Sequence, residues 1–264
     1  MRVSRPASLF VWILLLAPSL AAQQAPRDPQ AVALAISALT ALTGGAPVND
    51  VALTGAATQI AGSTRETGTV TLKAKGTQES RIDLALSSGR HTQIRNQAPG
   101  YAQGAWSGPD AISHPIALHN CWTDAVWFFP PLSSLAALGS PDLAVSYLGQ
   151  ESRLGISVQH LRFWRQVSTR STNAMQLIHR LSTVDMYLDS ASLLPVAITF
   201  NLHPDVDAGT DIAAEVRFSD YRLVSGIRVP FHVQEFLNGG LVLDILISNV
   251  TVNLGLQDTD FGIS

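Results

Sequence analysis

The sequence predicts a β-rich α+β fold, in which a curved antiparallel sheet of many strands carries short helices packed on its concave side. Three observations point there. Apolar and polar residues alternate with a period of two along much of the chain, glycine, asparagine and proline punctuate the alternating runs, and helical character is confined to one N-terminal stretch and a proline-rich middle. A period of two marks strands with one buried face, and close turns between them make an antiparallel meander. The apolar face must then be covered by a second sheet or by helices around which the sheet bends. The two helical regions favour the second solution.

The beginning of the chain reads as a secretory signal peptide over residues 1–22. Arg2 and Arg5 precede an apolar run over residues 7–20, and small residues Ser19, Ala21 and Ala22 stand before Gln23-Gln24. A positive start, a short apolar core and a small-x-small exit are the parts of such a peptide, with cleavage expected after Ala21 or Ala22. The alternative, an uncleaved anchor, asks for roughly 20 apolar residues, more than this core holds. No cysteine stands near the cleavage point to accept a lipid, so the expected product is periplasmic or secreted, with membrane contact transient at most. No later apolar run is long enough to span a bilayer.

Composition narrows the partners. Cleavage removes two of 17 basic residues and none of 20 acidic ones, moving the net charge from −3 to about −5. That is no footprint for nucleic acid, which requires a basic patch. Residues 23–264 suffice for a single domain with a sizeable core. With 14% charged and 46% hydrophobic residues, a low-charge exported protein has apolar surface to bury in a cavity or against an envelope protein partner. Cys121 is the single cysteine, so packing and not disulfides must hold the core, and its apolar neighbourhood, Asn120-Cys121-Trp122, predicts a buried inert thiol.

The elements follow in order. Residues 31–42 form a helix of about three turns, announced by Asp28-Pro29 and stopped by Gly44-Gly45. Residues 69–75 and 81–87 alternate cleanly and read as a hairpin, with flanking strands at 48–61 and 90–97. Residues 108–141 form an insertion of short helices joined by kinks, because Pro109, Pro115, Pro130, Pro131 and Pro141 both break and start helices. Strands resume at 143–148 and 156–164. Residues 174–181 suit a helix or a long loop. Strands then run at 184–188, 196–202, 214–221, 227–236 and 241–252, the last two joined through Asn238-Gly239-Gly240, whose glycines supply the positive φ of a tight turn. The last strand is apolar at both parities, which suggests cover on both faces.

Trp122, Trp127, Phe128 and Phe129 cluster within eight residues, and Trp106, Trp164 and Phe200 join them as candidate ligand-lining residues. Aromatic rings offer large contact areas to apolar ligands, and they equally serve to fill a core; the sequence leaves both readings open. No catalytic, metal or cofactor pattern stands beside them. His114 and His119 lie about 140° apart on a helix, too far to share a metal. His119 and Cys121 are neighbours of the kind that rarely pair as base and nucleophile. His160 and His232 read as hydrogen-bonded surface histidines. The stretch His203-Pro204-Asp205-Val206-Asp207, with Asp211, lacks the glutamate of a calcium loop and reads as a polar turn. Asn249-Val250-Thr251 is a glycosylation sequon placed inside a strand.

The last third has a particular order of features: a strand ending in Asp189, then Leu194-Pro195 opening the next, then Gly226 and Pro230 in G-x-x-x-P spacing after Tyr221, and a close on Asn253, Asp258 and Phe261. This order resembles the C-terminal half of the LolA/LolB-like lipoprotein carriers and their relatives, the outer-membrane lipoprotein-sorting proteins. The signal peptide and small first helix are similar too, and the chain as a whole is similar to exported bacterial proteins. The resemblance covers residues 183–261 best, residues 28–75 loosely and residues 90–180 not at all. It implies an open, strongly curved antiparallel half-barrel with helices as a lid, and an apolar cavity that receives the acyl chains of lipids or lipoproteins. It also implies an arginine that governs opening, with Arg65 and Arg81 as counterparts by rough position. The reading is a noncatalytic binder of apolar or amphiphilic ligands; a protein-interaction module with a filled core is the alternative.

Overall fold

The computed structural model describes residues 25–97, 101–167, 169 and 171–263; the expected signal peptide lies outside them. Helix α1 (Pro29–Thr43) starts where the sequence signals it. Asp28 caps it by accepting the Gln30 amide, and Gly44, at φ +60°, ends it by donating to the Thr40 carbonyl. Its buried stripe is Ala31, Ala35, Ala38 and Leu42. The three alanines let the helix lie close on the sheet, against β-strand residues that include Tyr147, whose amide Asp28 also accepts at 3.1 Å.

Thirteen strands follow: β1 (Asp50–Ala61), β2 (Thr64–Lys75), β3 (Glu79–Leu86), β4 (Gly89–Asn96), β5 (Gln103–Ser107), β6 (Ser113–Pro115), β7 (Leu143–Arg153), β8 (Ile156–Arg165), β9 (Val184–Asp189), β10 (Pro195–Leu202), β11 (Ile212–Val224), β12 (Ile227–Leu237) and β13 (Gly240–Val252). They form one antiparallel sheet in the order β6-β5-β4-β3-β2-β1-β13-β12-β11-β10-β9-β8-β7. The sheet is open, with β6 and β7 as its edges. The chain therefore works outward from β1 to one edge, crosses to the opposite edge through residues 116–142, and returns to the middle. That crossing segment runs over the concave face.

The concave face holds the core. Leu53, Leu72 and Ile82 lie side by side on β1, β2 and β3, and Ile245, Val233 and Phe218 on β13, β12 and β11; all six are buried. Burying apolar area at about 25 cal/mol per Å² makes this face the main stabilising element. At two positions neighbouring strands approach too closely for any side chain. A methyl group at Gly68 would sit 1.9 Å from the Ala85 carbonyl oxygen, and one at Gly55 2.1 Å from the Leu246 carbonyl oxygen, so only bare backbone permits those approaches.

Two expectations are corrected. The two apolar parities of β13 do not mean cover on both faces. A bulge leaves Ser248 without a partner in β1, since Thr54 pairs with Asn249 and Gly55 with Ile247. One extra residue exchanges the faces: Leu243, Ile245 and Ile247 point inward before the bulge, Val250 and Val252 pack on the same core after it, and Leu246 is left exposed outside. The insertion at 108–141 is also less helical than its prolines suggested. Ser113–Pro115 pairs with β5 as an edge strand, and the rest winds only into short 3-10 turns at Leu118–Trp122, Pro130–Leu132 and Ala136–Gly139. Proline removes the amides that longer α-helical turns need. The helix-or-loop choice at 174–181 falls to helix α2 (Thr172–Ser182), capped by the Ser171 hydroxyl, which accepts the Ala174 amide.

Candidate ligand-binding cavity

The crossing segment is fastened to the concave face in three places. In its middle, Val126, Phe128, Phe129 and Leu135 are wholly buried and plug the core. On one side, Arg95 of β4 reaches it: Nη2 donates to the carbonyls of Cys121 (2.7 Å) and Thr123 (2.9 Å), and Nη1 to the Thr123 hydroxyl (3.2 Å). On the other side, Asn120 copies a strand pairing with the end of β10. Its side-chain amide donates to the His203 carbonyl at 2.8 Å, and its oxygen accepts the His203 amide at 2.9 Å. His119 Nε2 adds a 3.0 Å contact with the Pro204 carbonyl. Replacing Asn120 by Ala leaves both His203 backbone groups unpaired beside a buried surface. The expected cost is about 1–3 kcal/mol, read as faster hydrogen exchange in residues 118–124 than elsewhere.

Between this lid and the sheet lies a cavity of about 370 Å³, lined by residues of β1, β3, β4, β5, β10, β12 and β13. That is within the roughly 300–1,000 Å³ range of small-molecule sites. Trp127 closes it from the lid, Trp106 from β5 and Phe200 from β10, over a floor that includes Ile82, Leu84 and Leu243. Polar groups also face it: Gln59, His91, Gln93 and Glu235. A second cavity, of about 560 Å³, opens beyond Arg95 and contains Trp122, Tyr101 and Leu118 with Asp124, Asp142 and Arg165.

The seven aromatic candidates therefore separate. Trp106, Trp127 and Phe200 share the cavity under the lid, and Trp122 stands in the neighbouring one. Phe128 and Phe129 have no exposed surface and fill the core. Trp164 is on the opposite face of β8 from Phe163 and stacks on His179 of α2, ring centroids 5.0 Å apart. The histidine and cysteine candidates take structural positions. Burial pushes the Cys121 thiol up, away from reactive thiolate, while the His119 ring engages Pro204 instead. His114 stacks on Trp106 at 4.5 Å. Asp207 accepts the Gly209 amide and the Thr210 hydroxyl, both at 2.7 Å, closing the polar turn. His160 and His232 sit on the convex face beside Asp185 and Asp244.

Neither arginine suggested by rough position touches the lid: Arg65 is exposed and Arg81 grips Asp83 on the convex face. Arg95 makes that contact. Glu235 is the other group that sequence reasoning passed over, although the inward series Ile227, Val229, Phe231, Val233 puts Glu235 next on the same face. Glu235 is half-buried and lines the cavity, and its carboxyl is pushed up to about 7 by burial.

The fold has solved counterparts. A domain described as an outer membrane lipoprotein-sorting protein from Vibrio parahaemolyticus superposes with a TM-score of 0.57 at 14% identity, over 88% of this chain and 96% of that one. A DUF1329-family protein from Desulfovibrio piger does so at 0.57 and 12%, over 90% and 98%. A LolA-superfamily protein from Nitrosomonas europaea does so at 0.54 and 15%, over 88% and 97%. The chain has the LolA-superfamily fold. The likeness expected from residues 183–261 thus extends, as architecture, over most of the chain. No family model matches the sequence, and no curated protein matches it. At such identities the LolA-type fold is shared and the chemistry of the site is not, so the function has to be argued from the cavity.

Proposed function

We propose that this chain is an exported, noncatalytic carrier that holds an apolar or amphiphilic ligand, a lipid or the acyl chain of a lipoprotein, between its lid and the concave face of its half-barrel. The observation that carries the reading is the cavity of about 370 Å³ walled by Trp106, Trp127 and Phe200. An apolar chain placed there leaves water for contact with three aromatic rings, the main source of affinity for such ligands. The lid that covers the cavity is held by hydrogen bonds on both sides and by its buried apolar middle. The LolA-type architecture is compatible with this use, and export to the periplasm or beyond would bring the protein to its ligand.

The test is native mass spectrometry of the mature protein, gently purified from a bacterial periplasm, with titration of a fluorescent acyl probe. A lipid-sized adduct and saturable probe uptake are expected. Trp127→Ala removes the wall supplied by the lid and is expected to weaken probe binding by about tenfold or more, in a protein whose thermal unfolding remains cooperative. A clean apo mass with no probe uptake would sink the carrier reading and favour a protein-interaction module.

A further inference from the structure

The cavity has a chemical feature that a purely apolar ligand leaves unanswered. Glu235 projects from β12 into it, between Val216 of β11 and Leu243 of β13 in the cross-strand rows. Both neighbours are buried hydrophobic residues. Among the described residues Glu235 has no hydrogen bond and no ion pair, whereas the acidic residues on the convex face are paired. Asp185 holds Arg162 at 2.7 Å, Glu215 holds Arg217 at 2.9 Å and Asp83 holds Arg81 at 2.7 Å. The sheet thus satisfies these outer carboxylates and leaves this inner one open.

We infer that Glu235 is the headgroup anchor of the cavity, and that the ligand it fits is a cationic amphiphile, an apolar body ending in an amine. The inference rests on the carrier reading and specifies its ligand. A half-buried carboxylate among apolar neighbours is costly to charge unless paired, and an ammonium head supplies both the countercharge and the hydrogen-bond donors. The walls are compatible with the same head, since Trp106, Trp127 and Phe200 line the cavity and aromatic rings attract cations. The other ionisable groups facing the cavity are His91 and Arg95, both on β4. Arg95 is already committed to three acceptors in the lid, so the cavity's free charge is the carboxyl of Glu235. A carboxyl held near 7 by burial alone must release its proton to pair with an ammonium in acid. Binding of the amine therefore weakens as the pH falls below 7, whereas binding of an uncharged chain does not.

The experiment compares decylamine, decanol and decanoic acid on the mature protein at pH 8 and pH 5.5, below their micellar concentrations. Calorimetry and tryptophan fluorescence supply the readouts. At pH 8 the amine is expected to bind about tenfold or more tighter than the alcohol, in line with a charge-assisted hydrogen bond, and the gap is expected to narrow at pH 5.5. Glu235→Gln and Glu235→Leu are expected to erase the preference while decanol still binds. Equal binding of amine and alcohol by the unmodified protein, or a preference surviving in both variants, would overturn the inference and leave the carrier reading standing. Failure of all three probes to bind would overturn both.

Discussion

Arg95→Ala is expected to release the lid from β4 and to lower global stability by about 2–4 kcal/mol. Arg95 is buried, and burial pushes its pKa down from the usual arginine value, the mark of a cation kept from water without a contacting carboxylate. Its compensation is the set of three acceptors at Cys121 and Thr123. Removing it leaves two carbonyls and a hydroxyl oxygen without that donor, each worth about 1–3 kcal/mol when stranded. The gain from no longer burying a charge offsets part of the loss. Arg95→Lys keeps the charge but not the planar fork that reaches three acceptors, so an intermediate loss is expected. Denaturant unfolding measures the total, and hydrogen exchange locates it. Protection should fall in residues 118–124 while the β8–β12 strands stay protected. Uniform loss across the sheet would instead mean that Arg95 supports the core and does not fasten the lid.

The half-barrel was legible because its strands have one polar face. In β2, Val70, Leu72 and Ala74 alternate with Thr71, Lys73 and Lys75, and the structure buries the first three. Where the alternation breaks, sequence reasoning misled for identifiable reasons. In β13 the phase change at Ser248 imitates a strand with two apolar faces. β5 and β6 are too short, at five and three residues, for a period to declare itself. In the lid, proline content signalled broken helices, yet local sequence carries no sign that Asn120 would pair with His203, 83 positions away. The site suffered most. Arg95 and Glu235 are charged residues on inward positions, which a search for apolar periodicity discards, and what they do depends on a lid that only the crossing from β6 to β7 brings over them. Aromatic content found Trp106, Trp127 and Phe200 but could not separate them from Phe128 and Phe129, because wall and core differ only in whether space is left beside the ring.

Glu235 has a second consequence, for stability in the absence of ligand. Its carboxyl is raised from 4.5 to about 7 in the folded protein. Between those values the folded chain holds a proton that the unfolded chain has lost. The unfolded state binds fewer protons, so stability falls as pH rises through this window and levels off above 7. A shift of that size is worth up to about 3 kcal/mol. The convex carboxylates act in the opposite sense: Asp185, Asp83 and Glu215 are held below their ordinary values, so what they contribute is lost only in acid, as the pH falls through their lowered values. The difference between the unmodified protein and Glu235→Gln isolates the single group. The variant is expected to gain up to about 3 kcal/mol over the unmodified protein between pH 4 and pH 8, with most of the gain appearing between pH 5 and pH 7. Urea unfolding at each pH measures it. Parallel stability curves would mean that the cavity admits enough water to solvate the carboxylate. A saturating amine ligand should cancel the deficit at pH 8 in the unmodified protein alone, which would join the stability of the fold to the occupancy of its cavity through one side chain.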